Sequence, residues 1–243
     1  MGLPKLEGIS MTLFSKHPLL FSTLAILAFR IAAPDPAQAQ TIETSANVAL
    51  SSDYIYRGVT QTSGGPAISG GFDAAAGLFS AGVWASSVDF GDDTTMELDI
   101  YTDYTPSFAG LDFDFGVLAY LYPDSPKGQN FVEFHGGTSK GLGALTLTAS
   151  YAYSPDFYGN TGNAGYLALD ANWTVNDKWS ISGGFGYQEF YQTAKGGDSY
   201  ADINVGITYS LSGFDLDLRY HDAFRLAGVT GSSVVVASLS RSF

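Results

Sequence analysis

The stretch "SSDYIYRGVTQT", Ser51 to Thr62, decides how this chain is read. Extended from Asn47, it puts Val48, Leu50, Tyr54 and Tyr56 on one side of a strand and Asn47, Ser51, Asp53 and Arg57 on the other, because successive side chains of a strand point to opposite faces. One face is apolar and the other polar or charged. In a soluble protein the charged face looks out at water. In a membrane barrel it looks inward, and Tyr54 and Tyr56 would then face the outer headgroup region.

The N-terminus favours export. Lys5 and Lys16 precede the apolar run "LLFSTLAILAF" from Leu19 to Phe29, and "APDPAQAQ" places Ala37-Gln38-Ala39 ahead of Gln40. A basic start, an apolar run too short to span a bilayer and a small-x-small site describe a cleaved signal peptide over residues 1–39. Counted from Met1 it exceeds the usual length of about 15–30 residues, whereas counted from Met11 it does not, so translation is expected to begin at Met11. A retained anchor fits poorly, since Arg30, Pro34 and Asp35 follow the run at once. Residues 40–243 are expected to form one domain, since no linker divides them.

Of 11 basic and 24 acidic residues, cleavage removes Lys5, Lys16 and Arg30 and also Glu7 and Asp35, which leaves a strongly acidic mature chain. That balance excludes nucleic acid as a partner, since binding to it depends on cationic side chains meeting phosphates. The absence of cysteine excludes disulfides and thiolate chemistry. No mature apolar run reaches the roughly 18 residues of a membrane helix, so a membrane would be crossed by strands.

From Ala46 onward, runs of roughly ten alternating residues recur, the length a tilted strand needs to cross a bilayer. In "LDFDFGVLAYLY", Leu111, Phe113, Phe115 and Val117 oppose Asp112 and Asp114; in "ALTLTASYAY", Leu145, Leu147, Ala149, Tyr151 and Tyr153 oppose Thr146, Thr148, Ser150 and Ser154. Strands are expected over residues 46–58, 66–75, 78–90, 95–105, 111–122, 130–138, 144–154, 165–175, 179–191, 200–211, 214–223 and 232–243. The fold class is therefore all-β: a closed up-and-down antiparallel transmembrane β-barrel of about 12 strands.

The connections support this independently. Tight turns near Gly77 and at "SFAG", "KGLG", "NDK" and "SG" alternate with longer polar links at "TQTSGG", "GDDTT", "PDSPKGQN", "SPDFYGNTGNAG", "TAKGGDS" and "FRLAGVTG". Short periplasmic turns and long external loops alternate in this way around a barrel. Tyr54, Tyr56, Phe90, Tyr151, Tyr153 and Tyr187 near the loop ends, with Tyr104, Trp173, Trp179, Tyr209 and Phe214 near the turn ends, would make two interfacial belts. The chain closes on "SVVVASLSRSF", a final strand ending in an aromatic, so Phe243 is expected to engage the barrel-assembly machinery. Arg241 departs from the apolar pattern, with its stem in lipid and its head reaching water.

The stretch "SANVALSSDYIYRGVTQT", followed by "GGPAISGGFD", "GVWASSVDF" and "MELDIYTDY", resembles the TorF-type family of proteobacterial porins. The likeness is carried by Ser52-Asp53-Tyr54, Arg57-Gly58, Gln61, Pro66-Ala67, Gly70-Gly71 and Trp84, in the N-terminal third. It implies a porin in the outer membrane of a Gram-negative bacterium and supplies no catalytic or ligand residues.

With each apolar face outward, the lumen-facing candidates are Asp53, Arg57, Glu97, Asp99, Asp103, Asp112, Asp114, Glu133, His135, Asp215, Asp217, Arg219 and His221, joined by Asp170, Glu189 and Asp202. Excess carboxylate in a narrow aqueous passage favours cations, and Asp99, Asp103, Asp112 and Asp114 are expected to face water and crowd the turn-proximal, periplasmic half of one hairpin. The expected function is passive diffusion of small ions or solutes across the outer-membrane lipid. A structural or adhesive barrel without an open pore is the alternative, and a barrel lipase or a soluble periplasmic β-sandwich is less favoured. An enzyme is not expected: His135 and His221 lack a serine partner in a recognisable motif, and no phosphate loop, zinc spacing or dinucleotide fingerprint implies a cofactor. The turn "GDDTT" reads equally as a calcium loop or an exposed acidic turn.

Overall fold

The structure, a computed structural model, describes residues 41–125, 129–192, 198–224 and 233–243. The expected signal peptide and the Met11 start lie outside these residues. The strands are β1 (Glu43–Ser51), β2 (Ile55–Tyr56), β3 (Val59–Thr60), β4 (Ala67–Ala76), β5 (Phe79–Ser87), β6 (Met96–Tyr104), β7 (Ser107–Phe108) and β8 (Leu111–Leu121), then β9 (Phe131–Leu142), β10 (Leu145–Ser154), β11 (Ala164–Thr174), β12 (Trp179–Phe190), β13 (Tyr200–Leu211), β14 (Phe214–Phe224) and β15 (Val234–Ser242). Apart from the two-residue β2, β3 and β7, each long strand pairs antiparallel with its two neighbours, and β1 pairs with both β4 and β15. Twelve long strands thus close into one barrel, and closure leaves no sheet edge.

The faces follow the period of two. Leu167 and Leu169 of β11 are 41% and 49% exposed, whereas Tyr166 and Ala168, which alternate with them, are 6% and 3% exposed. Exposed Val48, Leu50, Phe72, Ile100, Phe134, Leu147, Ile207, Leu218 and Leu239 continue this apolar exterior around the barrel. A soluble sandwich would bury such faces between two sheets; a closed barrel presents them to a bilayer.

Tight turns gather at one end. Ser212 and Gly213, with φ of 53° and 81°, join β13 to β14, the paired left-handed residues that a two-residue hairpin favours. The chain ends close beside this rim, where Ala46 and Phe243 exchange backbone hydrogen bonds. Aromatics cluster here too: Phe79 packs on Tyr104 and Trp179 on Tyr209, and the Arg241 guanidinium lies 4.8 Å from the centre of the Phe214 ring. Arg241 is outward on β15, in keeping with a stem along the apolar face.

Three expectations are corrected. The first strand ends at Ser51 rather than continuing to residue 58, and the chain then turns into the barrel. Tyr54 and Tyr56 consequently point inside rather than to the headgroups. Glu189 lies on the outer face with Tyr187, since the fully buried Gln188 between them occupies the inner one. Asp99 does not face open water: it is 2% exposed, packed in the inner wall.

Candidate functional site

The link from β1 to β4 builds the site. Ser52 still bonds through its backbone to Ala237 on β15, after which Asp53 draws the chain into a knot by accepting hydrogen bonds from the Thr60 and Thr62 hydroxyls at 2.7 and 2.8 Å. Ile55 and Tyr56 then pair with Thr60 and Val59, and the reversal is made by Arg57 and Gly58 with φ of 49° and 76°. This two-residue turn suits glycine at its second position twice over. A Cβ on Gly58 would also stand 2.7 Å from Cβ of Asp202 and 2.8 Å from that of Ala223, so the hairpin tip rests against β13 and β14.

From that tip Arg57 reaches across the lumen. Its guanidinium donates to Glu133 on β9 at 2.7 Å and to Gln188 on β12 at 2.9 Å, and it stacks over the rings of Tyr56 and Tyr166 at 4.7 and 4.3 Å from their centres. Side chains of both Arg57 and Glu133 are nearly sealed from solvent, at 6% and 4% exposure. Tyr54 donates to Glu97 and packs edge-on against Trp84, while Tyr56 bonds to Tyr120. One short hairpin is thereby tied to opposite walls.

Aromatic side chains complete the filling beside it. Leu118, Tyr120, Tyr122 and Phe131 form an internal cluster against which Tyr56, Phe90, Phe157 and Tyr158 pack. Phe90, Phe157 and Tyr158 belong to the links after β5 and β10, so loops fold inward as well. The expected outer belt accordingly keeps Tyr151, Tyr153 and Tyr187 and loses Tyr54, Tyr56 and Phe90. The loop ends are also clasped to one another: Asp92 accepts from the Thr94 backbone at 2.8 Å and from Gln129 at 3.1 Å, and Gln129 accepts from the Thr94 hydroxyl. The hydroxyl and backbone of Thr94, with Gln129, hold the Asp92 carboxyl below its ordinary pKa.

Beneath the hairpin lies a cavity of about 350 Å³ that extends from Tyr56 and Arg57 to Ser240 and Ser242 at the turn rim. It is lined by β1, β4, β5 and β11–β15, and no residue of β6, β8, β9 or β10 lines it. Asp53, Asp73, Asp170, Asp202 and Asp217 line it against Arg57 and Arg219, with His221 beside them. Arg219 is braced by Asp217 at 3.1 Å, Asn204 at 2.7 Å and Ser182 at 2.8 Å.

The candidates thus divide between two halves. Asp53, Arg57, Asp217, Arg219 and His221 border the cavity. Glu97 accepts from Tyr54 and Tyr122, and Glu133 from Arg57 and Tyr120, in the packed half. Asp103 meets His135 there, with Asp114 nearby. Asp112 accepts from Ser107, and Asp215 from Ser210, near the turn rim. His135 pairs through Nε2 with Asp103 at 2.9 Å. Sequence reasoning did not single out Asp73, Gln188, Tyr120 and Tyr166, which complete the site. Asp73 sits on the polar side of an alternating run, and so does Gln188, which continues Ser180, Ser182, Gly184 and Gly186 opposite Trp179, Ile181, Phe185 and Tyr187.

Among curated proteins, none matches the sequence. Solved structures give distant likenesses. A porin refined at 1.8 Å resolution is 15% identical, with 73% of this chain and 62% of that one covered and a TM-score of 0.42. The COG4313 outer membrane channel from Pseudomonas putida F1 is 12% identical over 86% of this chain and 100% of that one, at a TM-score of 0.47. A structure from work on the in-meso crystallization of membrane proteins is 8% identical over 82% and 83%, at 0.50. The chain spans under two thirds of the first of these. A family profile described as "Bacterial protein of unknown function (Gcw_chp)" matches residues 35–239, most of the sequence, and the chain therefore belongs to that bacterial family.

Proposed function

We propose that the protein is an outer-membrane channel of a Gram-negative bacterium, a single barrel over residues 40–243 exported by the signal peptide 1–39, that passes small ions or solutes and prefers cations. The apolar exterior, the closed twelve-strand sheet and the resemblance of the N-terminal third to TorF-type porins support this reading. Lipid is its surrounding partner, and exposed Phe243 directly after the final strand suits recognition by the assembly machinery. It is a conduit rather than an enzyme.

The observation that carries the cation preference is the cavity beneath the hairpin, where five carboxylates stand against two guanidinium groups. Between low-dielectric walls such an excess attracts cations more strongly than it would in bulk water. Single-channel recording in planar bilayers under a potassium chloride gradient tests it. The reversal potential should show cation preference, stronger near 0.1 M than near 1 M salt, since the screening length falls from about 10 Å to about 3 Å. Asp73→Asn combined with Asp170→Asn should move the potential toward anions. Folded protein without conductance would replace this reading with a filled structural barrel, and unchanged selectivity in the double variant would remove the cavity acids from the account.

A further inference from the structure

On the inner wall that the cavity does not reach, three side chains converge across β6, β8 and β9. Asp103 and His135 both stand opposite Gly116 in the strand registers. With no side chain between them they meet directly, His135 Nε2 lying 2.9 Å from Asp103 Oδ1. A Cβ at position 116 would stand 2.6 Å from His135 Nε2 and would collide with the Asp103 carboxylate and the Thr102 carbonyl. The space they share therefore depends on that residue being glycine. Asp114, two residues earlier on the same face of β8, completes the group, and one donor atom from each of the three lies within 4.8 Å of the others.

Two features set the group apart from an ordinary histidine–aspartate pair. Asp114 Oδ1 and His135 Nδ1 are sealed from solvent and have no hydrogen-bond partner among the described residues, and His135 is only 3% exposed. Buried polar atoms are nearly always satisfied, so such orphans call for an explanation. In addition, neither carboxylate pairs with an arginine or lysine among the described residues. Two neighbouring carboxylates without a cation are mutually destabilising in a low-dielectric wall. A divalent ion would remove that repulsion and give the orphan oxygen a partner.

We propose that Asp103, Asp114 and His135 form a binding site for a divalent first-row transition cation. Bonds of about 2.0–2.2 Å to a central ion bring donor atoms to roughly 3.4 Å from one another, so donors that already lie within 4.8 Å of one another need only small side-chain adjustments to close the set. The imidazole favours zinc or cobalt over magnesium and calcium, which prefer all-oxygen sites. Three protein ligands leave a coordination position for water. Binding here does not require the barrel to conduct.

The test uses the full mature chain without a tag, folded in detergent, stripped by a chelator, and titrated with zinc chloride by calorimetry and with cobalt chloride by visible absorption. Wild type should take up one equivalent of zinc, develop cobalt d–d bands, and keep both in excess magnesium. Asp114→Asn should weaken zinc binding at least tenfold and lose the cobalt bands, while the His135–Asp103 contact survives, which separates a ligand from a packing role. His135→Gln should do the same, and Asp112→Asn, at an exposed position on the same face, should change neither. Heat-modifiable gel mobility reports folding, and Asp114→Asn decides if His135→Gln fails to fold. Folded wild type that binds no stoichiometric zinc, or Asp114→Asn that binds like wild type, would overturn the proposal.

Discussion

Replacing Arg57 by alanine should release the hairpin from the far wall and widen the passage. The side chain joins Glu133 at 2.7 Å and Gln188 at 2.9 Å, with both partners essentially inaccessible to water. Removing one member of a buried ion pair costs about 3–5 kcal/mol, because the other charge is left uncompensated. Tyr120, which donates to Glu133 at 3.2 Å, is a neutral donor and offsets only a fraction of that. Since the barrel strands are held by their own ladders, the loss falls mainly on the seating of the hairpin. At about 1.4 kcal/mol per tenfold, the ratio of seated to unseated hairpin should fall by roughly two to nearly four orders of magnitude. Single-channel recordings should then show larger or longer-lived conductance in Arg57→Ala than in wild type. Glu133→Gln should act in the same direction, and the double variant should be less than additive, since the two side chains share one interaction. A folded Arg57→Ala barrel whose conductance equals that of wild type would refute the claim that this pair holds a constriction.

Two other outcomes follow from the structure. Leu169, exposed at the middle of β11, should meet acyl chains, so Leu169→Arg should cost about 2–4 kcal/mol and impair assembly, read as lost heat-modifiable mobility; Asn172→Asp on the inner face should assemble normally. The Asp92 carboxyl is held below its ordinary pKa by Thr94 and Gln129. Its contribution is therefore complete above the unfolded pKa and lost only as pH falls through the lower folded value. Protease nicking of the loops should rise below the usual carboxylate range in wild type, and should already be high at neutral pH in Asp92→Ala.

The strands were legible because each obeys a period of two with one face apolar, and that pattern survives any uncertainty in the ends. β6, expected over 95–105, runs Met96–Tyr104, and β13 spans 200–211 as expected. Alternating link lengths added closure and the two ends of the barrel. The reading failed at Ser52, where periodicity carries no information once a strand stops. Tyr54 and Tyr56 continue the alternation of Val48 and Leu50 in sequence, so nothing local says that the chain has turned inward. An aromatic near a loop end suits either an interfacial belt or an internal plug, and only the partner decides. Tyr56 finds Tyr120, 64 residues away.

The same limit governs the charged residues. Alternation assigns a side chain to the inner face, but what it meets there is set across the barrel: Arg57 pairs with Glu133 at a separation of 76 residues and with Gln188 at 131. Counting inward carboxylates therefore overstates how many act on a passing ion. Glu97 and Glu133 are consumed by tyrosine and arginine donors, and Asp99 is packed within the wall. Asp170, by contrast, lines the cavity, as does Asp73, which also accepts from the Tyr101 hydroxyl. The inward fold of one hairpin thus separates acids that brace the lumen from acids that can act on solutes, and a selectivity argument has to be made from the second set alone.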